Sequence, residues 1–321
     1  MKLPLQRGFT LVELMISIVL GLMVTAAAAQ LFITSQRGVA LQQGAASLQN
    51  SGSFGLEYIL RDVRLANLGA ATPVIDPTVL HGGLVLSHSN LSSVAVTDFT
   101  INGSDVDNSL MTIGEVGLSN LKDQNSDQLV IQYKNSVANQ YDCEGRTIAT
   151  NAYVVQRYFI RKDSNTNNDP NEPLALACKA TSYTGDANAA LSSLSGNGEI
   201  IIPRVDHMHI LLGVAQDTLD ESVSPSKAGQ DGVLDRFGYI KINDYLALTA
   251  KPQIVSIKLG LLVRSSDTVG SHGLTKADKQ YKIYDIDQPL IDDAKNNLYV
   301  REVITQTVAL RNGFGLKEEG K

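Results

Sequence analysis

The chain has 321 residues, of which 43% are hydrophobic and 19% are charged, a composition typical of folded proteins rather than disordered ones. Its formal net charge of −6 leaves no surplus of basic residues for phosphate contacts, so we expect no nucleic-acid partner. The two cysteines exclude a disulfide-rich small domain and a four-cysteine zinc site, but they leave room for one disulfide.

An apolar segment near the amino terminus is long enough to cross a bilayer. From Leu14 to Ile33 it contains no charged residue, and roughly 20 apolar residues suffice for a transmembrane helix. Two basic residues, Lys2 and Arg7, precede it. The positive-inside rule therefore predicts that residues 1–8 lie in the cytoplasm and that everything after Gln36 lies across the membrane.

A secretory signal peptide is the alternative interpretation of this segment, with the alanines at 26–29 as a cleavage site. Glu13 argues against it, because a carboxylate in an apolar segment is unfavourable and serves nothing in a segment that is discarded. The helix carries no cation to pair with Glu13, so we expect the partner in another chain. Cleavage between Gly8 and Phe9 would create an α-amino group, and this amine of one subunit could meet Glu13 of a neighbour.

The stretch "RGFTLVELMISIVLGL" closely resembles the class III signal of type IV pilins and pseudopilins. The resemblance implies that a prepilin peptidase cleaves between Gly8 and Phe9 and then methylates the new amine. It makes residues 1–8 a leader peptide and Glu13 the fifth residue of the mature chain.

The helix is predicted to continue beyond the membrane, because no proline occurs between Pro4 and Pro73. Small and apolar residues then recur at steps of four and three, which is typical of a helix face turned to a core. They are Leu41, Ala45, Leu48, Gly52, Leu56, Ile59, Val63 and Ala66. We predict a helical region over 9–69, with its membrane part at about 14–33, and bending or close packing at the glycines 38, 44, 52 and 55.

Residues 70–321 show short β-rich runs separated by polar turns. The clearest are "GLVLSH", "SVAVTDFTI", "QLVIQY", "AYVVQRYFI", "EIIIP", "HMHILLGV", "QIVSIKLGLLVRS" and "VREVITQTVALRN". In "QIVSIKLGLLVRS" apolar and other residues alternate, which predicts a strand with one buried face. The fold class is therefore α+β, a long amino-terminal helix packed on an antiparallel sheet in one globular domain.

This second region is similar to the PilW-type minor pilins, in the order and character of several stretches. These are "LQNSGSFGLEYILRDVRLANLG", "DQLVIQY", "LLGVAQD" to "DGVLDRFGYIK", "VSIKLGLLVRS" and "TVALRN". The resemblance implies a rare pilus subunit that helps to initiate the fibre and lies at or near its tip. It also implies an inner-membrane protein with a periplasmic domain that later enters the pilus fibre.

The partners that the resemblance implies are other minor pilins, the major pilin, the prepilin peptidase, the pilus assembly platform, inner-membrane lipid and a PilC/PilY-type tip adhesin. The alternative is a GspJ-like minor pseudopilin of a type II secretion system, whose helix obeys the same physics. A third possibility is a tip adhesin or DNA-uptake receptor that binds its ligand directly. It would need an exposed apolar or basic patch, and the acidic net charge argues against DNA.

The two cysteines, Cys143 and Cys178, follow the membrane segment and so lie in an oxidising compartment. We predict that they form a disulfide. Closing a loop of about 36 residues would stabilise the fold by roughly 4 kcal/mol in the chain-entropy model.

Two patterns could suggest a metal. His207 and His209 would share one face of a strand, but no further ligand completes a set, so we favour a packed or solvated pair. Asp163, Asn165, Asn167 and Asp169 alternate like a calcium loop. That loop would need a glycine at position 168 and a glutamate at 174, and neither is present, so we favour a solvated turn and predict no metal.

Catalytic motifs are not found. The sequence has no Gly-x-Ser-x-Gly elbow, no phosphate-binding glycine loop and no His-Glu-x-x-His motif. We therefore expect no catalytic residue, no cofactor and no enzymatic activity.

Overall fold

A nearly continuous amino-terminal helix begins the chain in this computed structural model. The structure describes residues 8–91, 100–101, 104–105, 108–166, 169, 173–184, 194–217, 234, 236–269, 279–295 and 299–313. Helix α1 spans Leu11–Gln49, a π-helical turn spans Asn50–Phe54, and α2 spans Gly55–Val63. The predicted helical region is therefore helical up to Val63, and turns follow to Gly69.

Fifteen strands follow in the described part of the chain, with short helices between some of them. The strands are β1 Thr100–Ile101, β2 Ser104–Asp105, β3 Ile113–Gly117, β4 Ser126–Lys134, β5 Gln140–Tyr141, β6 Thr147–Ile148, β7 Tyr153–Lys162, β8 Leu174–Tyr183, β9 Glu199–Pro203, β10 Val205–Gln216, β11 Arg236–Lys241, β12 Gln253–Arg264, β13 Gln280–Ile283, β14 Ile286–Pro289 and β15 Arg301–Ala309. The other helices are α3 Ile242–Ala247, α4 Asp292–Lys295 and three 3₁₀ turns at His88–Asn90, Asn108–Leu110 and Arg311–Gly313.

The strands form two main antiparallel sheets, which confirms the predicted α+β class. One sheet has the order β3-β4-β7-β8-β9 and the other the order β11-β10-β12-β15, and three two-stranded hairpins accompany them. The two sheets meet where side chains at the start of β4 cover the first half of β10, on the side that β11 leaves unpaired. There the Ser126 hydroxyl accepts a hydrogen bond from the Met208 N–H at 3.1 Å, and the Asp127 carboxylate accepts one from the Ile210 N–H at 2.6 Å.

Most of the predicted strands are present, but one predicted strand is absent and one long strand, β8, was not predicted. The stretch "GLVLSH" is not a strand, because only Leu84 makes an isolated bridge, to Ile131. Strand β8 was missed because alanines at 175, 177 and 180 have low β propensity. Most of "SVAVTDFTI" lies outside the described residues.

The predicted helix stripe does face the core, with one shift. Leu48, Leu56 and Ile59 are buried in the main hydrophobic cluster, but Ala45 is exposed and Gly44 is buried in its place. The π-helical turn adds a residue to the repeat between Gly44 and Leu56, which rotates the second half of the helix relative to the first.

The prediction of one buried face for β12 is wrong. Ile257 and Leu261 enter the main cluster, but Leu262 on the opposite face is buried against the hairpin β13-β14 through Tyr281 and Ile283. Alternation marks only which residues share a face, and it does not reveal that a distant hairpin covers the second face.

Candidate functional site

The start of helix α1 is held by a reciprocal capping box. The Thr10 N–H and the Thr10 hydroxyl donate to the Glu13 Oε2 atom at 2.9 and 2.8 Å, and the Glu13 N–H donates to the Thr10 Oγ1 atom at 3.2 Å. These bonds satisfy donors that the first turn of a helix otherwise leaves unpaired. Glu13 therefore has a local structural partner that the sequence interpretation did not include.

Thr10 is the residue that sequence reasoning missed at this site. The signal was present, because Thr10 and Glu13 form the Thr-x-x-Glu pattern of a capping box. Both partners in the box are neutral donors, so no cation of the described chain pairs with the Glu13 carboxylate. Phe9 is 90% exposed and the space around Gly8 is open. The other predicted leader residues, 1–7, lie outside the described residues.

No other part of the described structure buries the first part of α1. Every residue from Gly8 to Val39 is exposed, although most of the side chains in this segment are apolar. Leu11–Gln49 is long and apolar enough to cross a membrane, and none of its most apolar window is buried. It would be strongly unfavourable to leave an apolar helix surface of this size in water, so we expect its cover to come from outside the described part of the chain.

Glycines mark where the same helix begins to pack against the sheets. A Cβ atom at Gly44 would lie 2.9 Å from Val269, and one at Gly52 would lie 2.0 Å from the Ile304 Cδ1 atom. At Gly55 it would lie 2.3 Å from the Ile202 Cγ1 atom. At Gly21 and Gly38, within the exposed part, nothing lies within 4 Å. The expected close packing therefore occurs at three of the four glycines beyond the membrane segment, and Gly38 is the exception.

The predicted disulfide between Cys143 and Cys178 is present and joins the hairpin β5-β6 to β8. An ion pair reinforces the same junction, because Lys179 on β8 bonds to Glu144 at 3.0 Å. Within the hairpin, Arg146 bonds to Asp142 at 3.0 Å. A hairpin of two-residue strands is too short to be stable alone, so these links account for its fixed position.

The two strand histidines are both packed, in different environments. The His207 Nδ1 atom lies 2.9 Å from the Ser119 hydroxyl, and its Nε2 atom has no hydrogen-bond partner among the described residues. Burial lowers the pKa of His207 to about 4. Burial opposes charge on His209 as well, but hydrogen bonds to Asp127 at 2.8 Å and Asp285 at 2.9 Å outweigh it and raise its pKa. No group of three or more possible metal ligands occurs among the described residues.

The interpretation of the calcium-like stretch as a solvated turn is wrong for its two aspartates. The Asp163 carboxylate is buried and bonds to Arg204 at 2.9 Å, and the Asp169 carboxylate is buried against Arg264. Both carboxylates thus neutralise arginines. Asn167 lies outside the described residues.

These arginines belong to a larger buried network of charges between β10, β12 and β15. Asp206 is fully buried, bonds to Arg301 at 2.6 Å and lies 3.3 Å from Arg264. Buried charges are tolerated only when each is paired, since an unpaired one costs several kcal/mol. Sequence reasoning found no sign of this network, because its members are far apart in the chain.

Two protein-family models match the chain. The model of the type IV pilus-assembly protein W matches residues 157–312, which include the whole four-stranded sheet and, from the five-stranded sheet, β8, β9 and most of β7. The model of the prokaryotic N-terminal methylation motif matches residues 3–29, which include the capping box and the first part of α1.

Comparison with individual proteins adds less. No curated protein matches the chain significantly. Among solved structures, a type IV-like pilin from Thermus thermophilus is similar at 9% identity with a TM-score of 0.38, over 83% of this chain and 97% of that one. A score this low carries no argument about function.

Proposed function

We propose that the chain is a PilW-like minor pilin of the type IV pilin group, which helps to initiate the pilus and is incorporated at or near its tip. The match to the type IV pilus-assembly protein W over residues 157–312 and the methylation motif at residues 3–29 support this proposal. Proteins of this family are structural subunits rather than enzymes.

The observation that best supports the proposal is the exposed apolar part of α1. All residues from Gly8 to Val39 are exposed on a helix whose remaining part packs into a folded domain. Lipid can cover this surface before assembly, and the helices of other subunits can cover it in a fibre. One segment therefore serves as an inner-membrane anchor and later as part of the filament core.

The processing step belongs to the same proposal. A prepilin peptidase would cut between Gly8 and Phe9 on the cytoplasmic side, with residues 9–69 as the helical region and residues 70–321 as the periplasmic domain. The exposed Gly8-Phe9 step is compatible with access by a protease. The methylated amine of Phe9 would then lie near Glu13 of a neighbouring subunit, and the charge pair would offset the cost of placing both groups in an apolar core.

The proposed partners are the other minor pilins, the major pilin, the assembly platform and a PilC/PilY-type tip adhesin. The subunit acts by packing: the helix enters the core and the sheets present lateral surfaces. Tip placement is a proposal from the family resemblance.

Mass spectrometry of the chain from sheared surface filaments and from inner membranes tests the proposal. We expect a chain that begins at N-methylated Phe9 in both fractions. A processed chain that occurs only in membranes, although filaments are abundant, would exclude the incorporated minor pilin and favour a pseudopilin or an assembly factor. A chain that begins at residue 1 in both fractions would exclude the processing site.

A further inference from the structure

Strand β15 lies at the edge of the four-stranded sheet and leaves a row of backbone groups without a partner strand. It pairs with β12 from Arg301 to Ala309 without a bulge, and within the described residues no strand pairs with its other side. The Val300 carbonyl accepts from the Ser265 N–H, and the Leu310 N–H donates to the Val255 carbonyl. The even-numbered residues of β15 therefore form backbone hydrogen bonds with β12, and the odd-numbered residues direct their N–H and C=O groups away from it.

The composition of this edge favours pairing with another strand. From Val303 to Ala309 there is no charged residue, no proline and no glycine, and five of these residues are β-branched. Thr305, Gln306 and Thr307 are exposed. An unprotected edge of this kind is a template for a further strand.

The other edges of the two main sheets carry features that oppose pairing, within the part of the chain that the structure describes. Strand β9 ends at Pro203 and has a register shift against β8, and β3 has a register irregularity against β4 between Ile113 and Gly117. Strand β11 has Arg236 and Lys241 at its ends. Prolines, bulges and edge cations are the usual means by which proteins block edge pairing, and β15 has none of them between Val303 and Ala309. Its first residue, Arg301, is buried against Asp206 and so does not act as an edge cation.

We propose that the outer edge of β15 binds an extended segment of a different pilus subunit, which adds a strand beside it. Only an extended backbone matches the alternating outward N–H and C=O groups of Val303, Thr305 and Thr307. The proposal rests on the proposed function, because that function supplies neighbouring subunits in the same membrane.

The position of β15 relative to the helix supports a neighbouring pilus subunit as the partner. Ile304, in the middle of β15, lies against Gly52 in the π-helical turn. A strand added to β15 would thus lie beside the point where the helix leaves the sheets and continues as the exposed part of α1. A subunit whose own helix runs parallel to α1 in the membrane can reach this edge.

A second copy of this chain fits the edge poorly. The helix lies along one face of the four-stranded sheet, since Gly44 contacts Ser265 and Val269 and Gly52 contacts Ile304 and Val263. Two copies that pair antiparallel through β15 would be related by a two-fold axis normal to the sheet. Their membrane helices would then point in opposite directions, which one bilayer does not allow.

The test uses the full-length chain in cells that assemble pili, with a photo-crosslinking amino acid at Gln306. We expect a crosslink to another pilin-type subunit. The double variant Thr305→Pro/Thr307→Pro removes two outward N–H groups but no bond to β12, and it should reduce this crosslink by roughly tenfold or more. The matched control Thr305→Val/Thr307→Val keeps the N–H groups and the shape, and its crosslink should stay within about twofold of the original.

Several results would overturn the proposal: a crosslink to the chain itself, an undiminished crosslink in the proline variant, or an equal loss in the valine control. The melting temperature of the purified variants in detergent checks that they fold. If the proline variant does not fold, Thr305→Lys/Thr307→Lys replaces it, because two edge cations oppose an incoming strand without removing a backbone hydrogen bond. An undiminished crosslink in that variant would also overturn the proposal.

Hydrogen exchange of the isolated full-length chain gives an independent check. The odd-numbered amides from Val303 to Thr307 should exchange roughly a hundredfold faster than their even-numbered neighbours, because only the latter bond to β12. Slow exchange at the odd positions would mean that the edge is already covered, and would contradict the proposal.

Failure of the edge proposal and failure of the proposed function are distinguishable. If the chain is not processed at Phe9 and is absent from filaments, the proposed function fails whatever the crosslink shows. If the chain is processed and incorporated but the proline variant crosslinks normally, only the edge proposal fails.

Discussion

The two parts of the amino-terminal helix have opposite relations to the rest of the molecule. From Gly8 to Val39 every residue is exposed, whereas from Gly44 to Val63 one face is buried among the sheets. The contrast extends to charge. Among the described residues Glu13 in the exposed part bonds only to neutral donors, whereas Asp206 in the folded part is paired with two arginines.

This difference shows which interactions stabilise each part of the helix. The folded part satisfies its apolar and charged groups within the chain, so substitutions there should change the free energy of unfolding. The exposed part has an apolar surface that nothing in the described chain covers, so substitutions there should change association with lipid or other subunits and leave unfolding unchanged. Variants placed in the two parts test this division.

The largest effect is expected from the buried charge network. Asp206→Asn removes the buried carboxylate that pairs with Arg301, while Arg264 keeps Asp169, and it should lower the free energy of unfolding by roughly 3–5 kcal/mol. Denaturant unfolding of the full chain in detergent measures it. Asp287→Asn, at an exposed aspartate of β14, is the control and should change it by less than about 0.5 kcal/mol. Equal values for the two variants would refute the importance of the network.

That network also shows the limit of prediction from this sequence. The helix, its core-facing stripe and strands such as β10 and β12 follow from local patterns of period 3.6 and 2, so the sequence alone predicted them. The pairing of Asp163 with Arg204 depends on which distant strands become neighbours, and no local pattern contains this information. The capping box of Thr10 and Glu13 was readable, because it needs only a spacing of three residues.

The next effect in size concerns pH and the folded part. Burial lowers the pKa of His207 to about 4, so as pH falls the unfolded chain protonates this histidine before the folded chain does. The stability that the neutral His207 contributes is therefore lost as pH falls from 6.5 toward 4. Between pH 7 and pH 5 it amounts to roughly 2 kcal/mol. His207→Gln should remove this slope in unfolding measured across that range.

His209 provides the opposite sign. Asp127 and Asp285 raise the pKa of His209 in the folded chain. The charged His209 therefore contributes fully to the free energy of unfolding below the pKa of the unfolded chain, near 6.5, and this contribution is lost as pH rises through the pKa of the folded chain. His209→Gln should therefore lose more stability at pH 6 than at pH 8. The same pH slope in both variants would contradict the assigned environments.

A smaller effect separates the two parts of the helix directly. Gly55→Ala gains about 1 kcal/mol of helix propensity, but its Cβ atom would overlap Ile202, and such overpacking costs roughly 1–3 kcal/mol. A net loss of about 1 kcal/mol in unfolding is expected. Gly21→Ala, where nothing lies within 4 Å, should leave the unfolding of the folded part unchanged. A loss of stability in Gly21→Ala would mean that the exposed part also packs on the sheets.

The smallest effect on unfolding should come from Glu13→Gln, which nevertheless tests the exposed part most directly. Glutamine at this position can still bond back to the Thr10 N–H, so the capping box survives and only the charge is lost. We expect membrane insertion and N-methylation of Phe9 to persist, while the amount of chain in sheared filaments falls by roughly tenfold.

The control for this variant is Glu57→Gln in the packed part of the helix, where the exposed Glu57 bonds to Arg64 at 2.9 Å. It should assemble normally, because a surface ion pair contributes little. Normal incorporation of Glu13→Gln would show that the cap, and not the charge, is what this residue supplies, and that the partner of the exposed helix recognises its apolar surface alone.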